Sequence, residues 1–215
     1  MAVRVTHPIN CTYIHIPKTA GNSITSWLKQ TATTKVTKRN QHATVQEVLE
    51  GNHSLGPMQM QDLGWKFCVV RNPWDYVVSW YTFEIRLCKQ NIYRCETDTK
   101  WKHPTKEKYN LKFQQMRLKH LQDTGIKHFI ENAHNHRYLH MMQSEWASSC
   151  DYVMKLENIN EDFVKIQEKL NCYTPLPVKN KTKSRIQYQE YYTSELIDTV
   201  YKMYKKDINT YKYQF

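Results

Sequence analysis

Lys18, Gly21 and the polar pair Asn22 and Ser23 follow an apolar run in the segment YIHIPKTAGNSI, residues 13–24. The order is that of a strand, a tight turn and a helix that opens at once. Backbone N–H groups of residues 20–24 can point into such a turn at the N-terminus of the helix. There they can donate hydrogen bonds to a bound anion. Gly21 allows a close backbone approach, Lys18 adds a mobile cation, and Asn22 and Ser23 add side-chain donors. The segment therefore predicts a site for a phosphate or sulfate group.

The spacing of this segment differs from that of the Walker A phosphate loop. In GxxxxGK[ST] the lysine follows the glycines, whereas Lys18 precedes Gly21. The alternative interpretation is a tight turn that carries a solvated lysine, and the segment taken alone leaves that alternative open.

A second segment, FCVVRNPWDYVVSWY at residues 67–81, also ends a strand and opens a helix. Arg71 stands at the strand end and Ser79 lies two helical turns further on. An arginine fork and a hydroxyl can share one phosphate. Alternatively, Arg71 pairs with Asp75 as ordinary scaffold and Ser79 is a small buried residue. Two strand ends that could each bind an anionic group favour a ligand with phosphates at both of its ends.

Strands alternate with helices along the chain, which is typical of βαβ units and a mainly parallel sheet. Short apolar runs predict strands at residues 11–17, 65–71 and 151–157. The predicted helices cover residues 23–30, 42–50, 73–89 and 124–134, a segment capped by Asn160, and a last helix from Ile197 to Ile208. Residues 51–64 are predicted to be a loop, and residues 90–110 a loop or lid over the sheet. In such sheets ligands bind beyond the carboxyl ends of the strands.

The chain of 215 residues carries 31 Lys and Arg against 20 Asp and Glu, a net charge of +11. This balance favours an anionic partner such as a nucleotide, an acidic or sulfated glycan or a nucleic acid, although a basic solvated surface gives the same charge. Residues 89–127 concentrate the excess, with ten basic and four acidic residues. The apolar runs are too short to cross a bilayer, and the N-terminus has no long apolar secretory segment. We expect a soluble cytoplasmic protein, or else a trimmed Golgi-type catalytic domain.

Six cysteines are present and none forms a CxxC pair, so a zinc site is not expected. Cys11 and Cys68 lie in apolar strand-like runs and are predicted to be core residues. Cys88 and Cys95 could bridge in an oxidising compartment. Because no signal sequence is seen, we expect free thiols.

The two polar segments together resemble a known family. IPKTAGNSI is similar to the 5′-phosphosulfate loop of sulfotransferases that use PAPS (3′-phosphoadenosine 5′-phosphosulfate), and VVRNPWDYVVSWY is similar to their 3′-phosphate motif. The carbohydrate-type branch, whose members often read PKTGGTS and RNPxDRxxSxY, matches best. QHATVQEV, MMQSEW and DYVMKLENINEDF extend the resemblance over most of the chain. It implies one sulfotransferase domain at residues 1–215, a P-loop-like three-layer α/β/α fold around a mainly parallel sheet, and an acceptor-side insertion or lid at residues 90–125.

The resemblance also implies roles for individual residues. Lys18 would stabilise the leaving group, and His42 would be the catalytic base, with His53 and Glu84 as rivals. The residues that would bind the 5′-phosphosulfate are Lys18, Thr19, Ala20, Gly21, Asn22, Ser23 and Ile24. Those that would bind the 3′ side of the nucleotide are Arg71, Ser79, Lys181, Ser184 and Arg185.

Three positions depart from the family pattern. Ala20 stands where the family often has glycine, Asn22 where it often has threonine, and Tyr76 where arginine is frequent. Asn22 keeps a donor but loses the hydroxyl geometry, so these departures bear on the details of phosphate contact and leave the expected fold unchanged.

The predicted reaction transfers a sulfuryl group from PAPS to a hydroxyl of an acceptor, with a carbohydrate favoured and a small alcohol as the other candidate. PAP is the product, no metal is required, and neither nucleic acid nor membrane is an expected partner. A nucleotide kinase is disfavoured by the position of the lysine and by the lack of a convincing Mg²⁺-binding strand end. A non-catalytic polyanion binder would instead show salt-sensitive binding to DNA or heparin. The histidines of HNHRYLH, residues 134–140, approach metal-ligand spacing but have no acidic or cysteine partner nearby in the sequence.

Overall fold

A five-stranded sheet organises the computed structural model of the chain, which describes residues 2–36, 42–51, 59–97, 110–136, 138–179 and 186–215. The strands are β1 (Ala2–His7), β2 (Cys11–Ile14), β3 (Thr33–Val36), β4 (Trp65–Val70) and β5 (Tyr152–Lys155), in the spatial order β3-β1-β2-β4-β5. β4 pairs in parallel with β2 and β5, whereas β1 is antiparallel to both of its neighbours. Four strands therefore share one direction, and the predicted α/β fold with a mainly parallel sheet is confirmed.

The helices of the described ranges differ widely in length. They are α1 (Gly21–Thr31), α2 (Val45–Leu49), α3 (Pro73–Thr97), α4 (Leu111–Glu131), α5 (Gln143–Ala147), α6 (Ile159–Asp162), α7 (Val164–Leu170), α8 (Ser194–Met203) and α9 (Lys205–Tyr211). Single 3₁₀ turns lie at Met60–Leu63, Ala133–Asn135, Leu156–Asn158 and Tyr188–Tyr191. Among these described helices, none has both the length and the apolar character needed to cross a bilayer.

Chain contacts divide the protein into two compact units. The first comprises residues 1–73, 141–186 and 204–215 and contains the whole sheet; the second comprises residues 74–140 and 187–203. In the second unit, the indole N–H of Trp74 donates to the Ile197 carbonyl at 3.1 Å, and the Tyr81 hydroxyl donates to the Leu121 carbonyl at 3.0 Å. These bonds tie α3 to α8 and to α4.

The main core of the first unit covers one face of the sheet. Phe67 and Val69 of β4 pack there with Trp27 of α1 and Ile166 of α7. Successive strand residues point to opposite faces. Since Cys68 and Val70 are also fully buried, and α5 contacts β4, both faces of β4 are covered. Burial on both faces explains why WKFCVV is so apolar for its length.

The predicted strands are confirmed, with ends that fall a few residues inside the predicted limits. The prediction that Asn160 caps a helix is wrong. Asn158 occupies the N-cap position of α6, and Asn160 lies inside the helix. The reason is local, because the Asp162 carboxylate accepts from the Lys155 N–H at 2.8 Å and turns the chain immediately after β5. The predicted last helix is interrupted at Tyr204, between α8 and α9.

The prediction that residues 90–110 form a loop is wrong for its first part. α3 continues to Thr97, and the side chain of Asn91 is buried although it is polar. The helix predicted at residues 124–134 starts earlier: α4 begins after Asn110, whose side chain accepts from the Lys112 N–H at 2.9 Å. α4 is broken at Gly125, where φ is +67°. The role of residues 90–125 as an acceptor-side lid stays a prediction.

Candidate active site

The turn between β2 and α1 holds two residues in the left-handed backbone region. Lys18 has φ 64° and Ala20 has φ 61°. Each such residue other than glycine costs about 1–2 kcal/mol, so the surrounding structure must hold the turn in place. Part of that support is the hydroxyl of Thr19, which is fully buried and donates to the Ile16 carbonyl at 2.8 Å. Backbone strain of this kind is concentrated at functional sites.

The first turn of α1 supplies backbone donors beside that strained turn. The amides of Ser23 and Ile24 donate to the Ala20 carbonyl, at 2.9 and 3.2 Å, and the Ile24 side chain is buried in the core. The amides ahead of them precede the helical hydrogen-bond ladder, as the first N–H groups of any helix do. The N–H groups of Ser23 and Ile24 are therefore used within the helix itself.

Position 21 must be glycine because the imidazole ring of His15 lies against it. A Cβ built on Gly21 would collide with the ring of His15, so only glycine allows the first residue of α1 to lie against that ring. His15 is 7% exposed, and its Nδ1 is buried without a hydrogen-bond partner among the described residues. Burial, with a further contribution from His42, holds the pKa of His15 well below its ordinary value. His15 is thus a neutral ring packed beneath the loop, a residue that the sequence analysis did not single out.

His42 lies beside His15, in the same unit. The two ring centroids are 4.7 Å apart in an edge-on arrangement, and His42 Nδ1 lies 3.2 Å from the His15 carbonyl oxygen. Because a carbonyl oxygen can only accept, Nδ1 of a neutral His42 carries the proton and Nε2 carries the lone pair. The Trp146 indole donates to the His42 carbonyl at 2.9 Å, which fixes the backbone of this residue as well. The rival base His53 lies outside the described residues.

Arg71 meets the loop directly. Its Nη1 donates to the Lys18 carbonyl oxygen at 3.0 Å. The contact follows from the topology, since β2 and β4 are parallel neighbours and their carboxyl ends reach the same edge of the sheet. Arg71 is only 6% exposed, so its guanidinium is held against the turn. The structure therefore brings Lys18 and Arg71 together.

The chain that follows Arg71 is fixed from two sides. The Asn72 N–H donates to the Glu157 carboxylate at 2.6 Å, and the Asn72 side-chain amide donates to the Gln214 carbonyl at 2.7 Å. The Tyr213 hydroxyl donates to the other oxygen of Glu157 at 3.2 Å. Burial, and next the neighbouring Glu157 charge, raise the pKa of Tyr213.

The basic segment that begins at Lys179 starts beside the loop. The Lys179 N–H donates to the Ser23 hydroxyl oxygen at 3.1 Å, which leaves the hydroxyl hydrogen of Ser23 able to donate elsewhere. The predicted contacts Lys181, Ser184 and Arg185 lie outside the described residues. Trp27 is a core residue whose indole donates to the Thr174 carbonyl at 2.8 Å.

Ser79 and Glu84 lie on α3 in the second unit. Ser79 is half-buried. Glu84 is buried; its carboxylate is ion-paired with Arg117 at 2.5 Å and lies 3.4 Å from Nε2 of His136. A carboxylate with two such partners is a poor general base, because both stabilise its charged form. No group of three or more potential metal ligands occurs among the described residues.

Comparison with known proteins identifies the family of the chain. The model of the Sulfotransferase family matches residues 2–214. Comparisons with curated proteins and with solved structures gave no match. The chain therefore belongs to the sulfotransferase family, as the resemblance of its two motifs predicts.

Proposed function

We propose that this protein is a PAPS-dependent sulfotransferase that transfers a sulfuryl group to a hydroxyl, with a carbohydrate as the favoured acceptor. Membership of the sulfotransferase family supports sulfuryl transfer. The net charge of +11, concentrated in residues 89–127, favours an anionic donor and an anionic or polyhydroxylated acceptor.

The observation that carries the proposal is the hydrogen bond between Arg71 and the Lys18 carbonyl, at 3.0 Å. It joins the two motifs that the sequence assigns to opposite ends of one nucleotide. A nucleotide with phosphates at both ends can contact both motifs only if their strand ends lie at the same edge of the sheet. The parallel pairing of β2 with β4 meets that condition.

The residues of the loop fit a phosphosulfate group. Lys18, the amides of residues 18–22 and the Ser23 hydroxyl would hold the 5′ end. Arg71 would hold the 3′-phosphate and so separate PAPS from nucleotides that lack it. Ser79 stays a predicted contact of the same phosphate. Lys181, Ser184 and Arg185 belong to the segment that starts beside Ser23, and we keep them as predicted contacts.

The chemistry asked of the protein is positioning, charge neutralisation and proton removal. A bond forms between the acceptor oxygen and sulfur while the bond between sulfur and the 5′-phosphate oxygen breaks. Lys18 would neutralise the charge that grows on the departing phosphate. His42 Nε2 would take the acceptor proton, because the bond from Nδ1 to the His15 carbonyl leaves the lone pair on Nε2.

The test is a thermal-shift comparison of PAP, ADP and AMP. The proposal predicts that PAP stabilises the protein most and that Arg71→Ala removes this preference. Arg4→Ala is the matched control, because Arg4 lies on β1 and bonds to Asn10. Strongest stabilisation by ADP or ATP with Mg²⁺ would support a kinase instead. Equal shifts with all three nucleotides would support a polyanion binder. A panel of hydroxyl acceptors with labelled donor then identifies the acceptor class.

A further inference from the structure

The side-chain amide of Gln143, the first residue of α5, forms hydrogen bonds with both the backbone N–H and the backbone carbonyl of Arg71. The Arg71 N–H donates to Gln143 Oε1 at 2.8 Å, and Gln143 Nε2 donates to the Arg71 carbonyl at 2.8 Å. Arg71 lies just beyond the end of β4, where strand pairing no longer satisfies its backbone. The side-chain amide of Gln143 therefore takes the place of a neighbouring strand for this one residue.

Gln143 is in turn held by a buried carboxylate. Asp207 of α9 is fully buried, and its two oxygens accept from the N–H groups of Gln143 and Ser144, at 2.7 and 2.9 Å. Hydrogen bonds to a charged acceptor are stronger than neutral ones. Since Gln143 is also fully buried, its side chain has little freedom to leave Arg71.

Arg71 is thus restrained at both ends. Gln143 holds its backbone, and its guanidinium donates to the Lys18 carbonyl. Loss of the Gln143 bonds would take one hydrogen-bond partner from each of two backbone groups of Arg71, and the chain at Arg71 would shift to compensate. Such a shift would move the guanidinium away from its position beside the loop.

We propose that Gln143, supported by Asp207, is a positioning residue that sets the preference for a nucleotide with a 3′-phosphate. This inference rests on the proposed function, because it assigns the 3′-phosphate to Arg71. Gln143 itself need not touch the nucleotide. Its effect is exerted through the direction in which Arg71 presents its guanidinium.

The test compares the affinities for PAP and AMP by titration calorimetry. Gln143→Met keeps the side-chain volume and removes both bonds to Arg71, and Gln143→Glu keeps the acceptor but replaces the donor. The ratio of PAP to AMP affinity is expected to fall about tenfold in Gln143→Met, because a displaced Arg71 would lose one hydrogen bond to the charged 3′-phosphate, and by a smaller factor in Gln143→Glu. Gln167→Met is the matched control: Gln167 donates to the Thr174 carbonyl at 2.9 Å and does not contact Arg71.

The affinity ratio separates positioning from stability. A purely structural role would lower the melting temperature of the Gln143 variants and leave the ratio within about twofold of wild type, and that result overturns the proposal. If Gln143→Met does not fold, the ratio of PAP to AMP affinity measured for Gln143→Glu tests the proposal in its place. If the wild-type protein shows no preference for PAP over AMP, the proposed function fails before the role of Gln143 is reached.

Discussion

Replacement of Gly21 by alanine tests how the loop is built. Gly21 is the first residue of α1, so an alanine can adopt its backbone conformation. The added methyl group, however, would occupy the position of the His15 imidazole. That ring is buried and confined by Tyr13 and His42, with ring centroids at 5.9 and 4.7 Å, so it has little room to move aside.

The expected magnitude comes from two opposing effects. Overpacking of a buried site costs about 1–3 kcal/mol. Replacing glycine by alanine at a helical position gains about 0.5–1 kcal/mol, because the unfolded chain loses freedom and alanine favours the helix. Gly21→Ala should therefore lower the free energy of unfolding, by up to about 2.5 kcal/mol.

The assay is urea unfolding of four proteins: wild type, Gly21→Ala, His15→Ala and the double variant. In the His15→Ala background the methyl group has space, so Gly21→Ala should raise the free energy of unfolding by about 0.5–1 kcal/mol. The sign of the substitution thus reverses between the two backgrounds, with a coupling energy of about 2 kcal/mol. An equal loss in both backgrounds, or a gain in the wild-type background, would refute the packing of His15 beneath Gly21.

Three further predictions concern the same loop. Because burial depresses the pKa of His15, the unfolded chain takes up a proton that the folded chain does not. The free energy of unfolding should therefore fall by up to about 1.4 kcal/mol for each pH unit below about pH 6.5. Urea titrations at several pH values measure this dependence. If His15→Phe shows the same slope of free energy against pH as wild type, the prediction is contradicted. Ala20→Gly should raise the free energy of unfolding by up to about 1 kcal/mol, and with it the urea midpoint, because Ala20 has a positive φ. A lower midpoint would show that the turn is not strained. Trp146→Phe removes the hydrogen bond to the His42 carbonyl, so turnover should fall several-fold while the affinity for PAP is unchanged. Unchanged turnover would show that this hydrogen bond does not contribute to catalysis.

The strands that carry the site were predictable because they are buried on both faces. WKFCVV and the run before Pro17 are short and apolar, and each is ended by proline within a few residues. Parallel strands place their carboxyl ends at one edge of the sheet. The proximity of Lys18 and Arg71 therefore follows from the sequence pattern together with the parallel pairing of β2 and β4.

β1 was missed although a signal for it exists. Val3 and Val5 are fully buried, and the residues between and after them are not. This alternation over residues 3–6 is typical of a strand, but so short a pattern also occurs in loops. The antiparallel position of β1 between β2 and β3 depends on pairing with residues far along the chain, which local sequence does not determine.

The roles of His15 and Gln143 could not be derived from spacing. In the sequence His15 is one polar residue in an apolar run, and its contact with Gly21 arises only when the turn folds back. Gln143 and Asp207 are 64 residues apart, yet they share a buried hydrogen bond of 2.7 Å. A buried aspartate in a terminal helix signals that a partner must exist, because an unpaired buried charge is very costly. It does not say which residue the partner is.

The most direct measurement of the central claim is the transfer of labelled sulfate from PAPS to a hydroxyl acceptor, with PAP affinity measured in parallel. The account predicts that wild type transfers the label, that His42→Ala abolishes transfer with PAP affinity nearly unchanged, and that Lys18→Ala lowers turnover by a large factor. Full turnover by both variants, or failure of the wild-type protein to bind PAP at all, would contradict it.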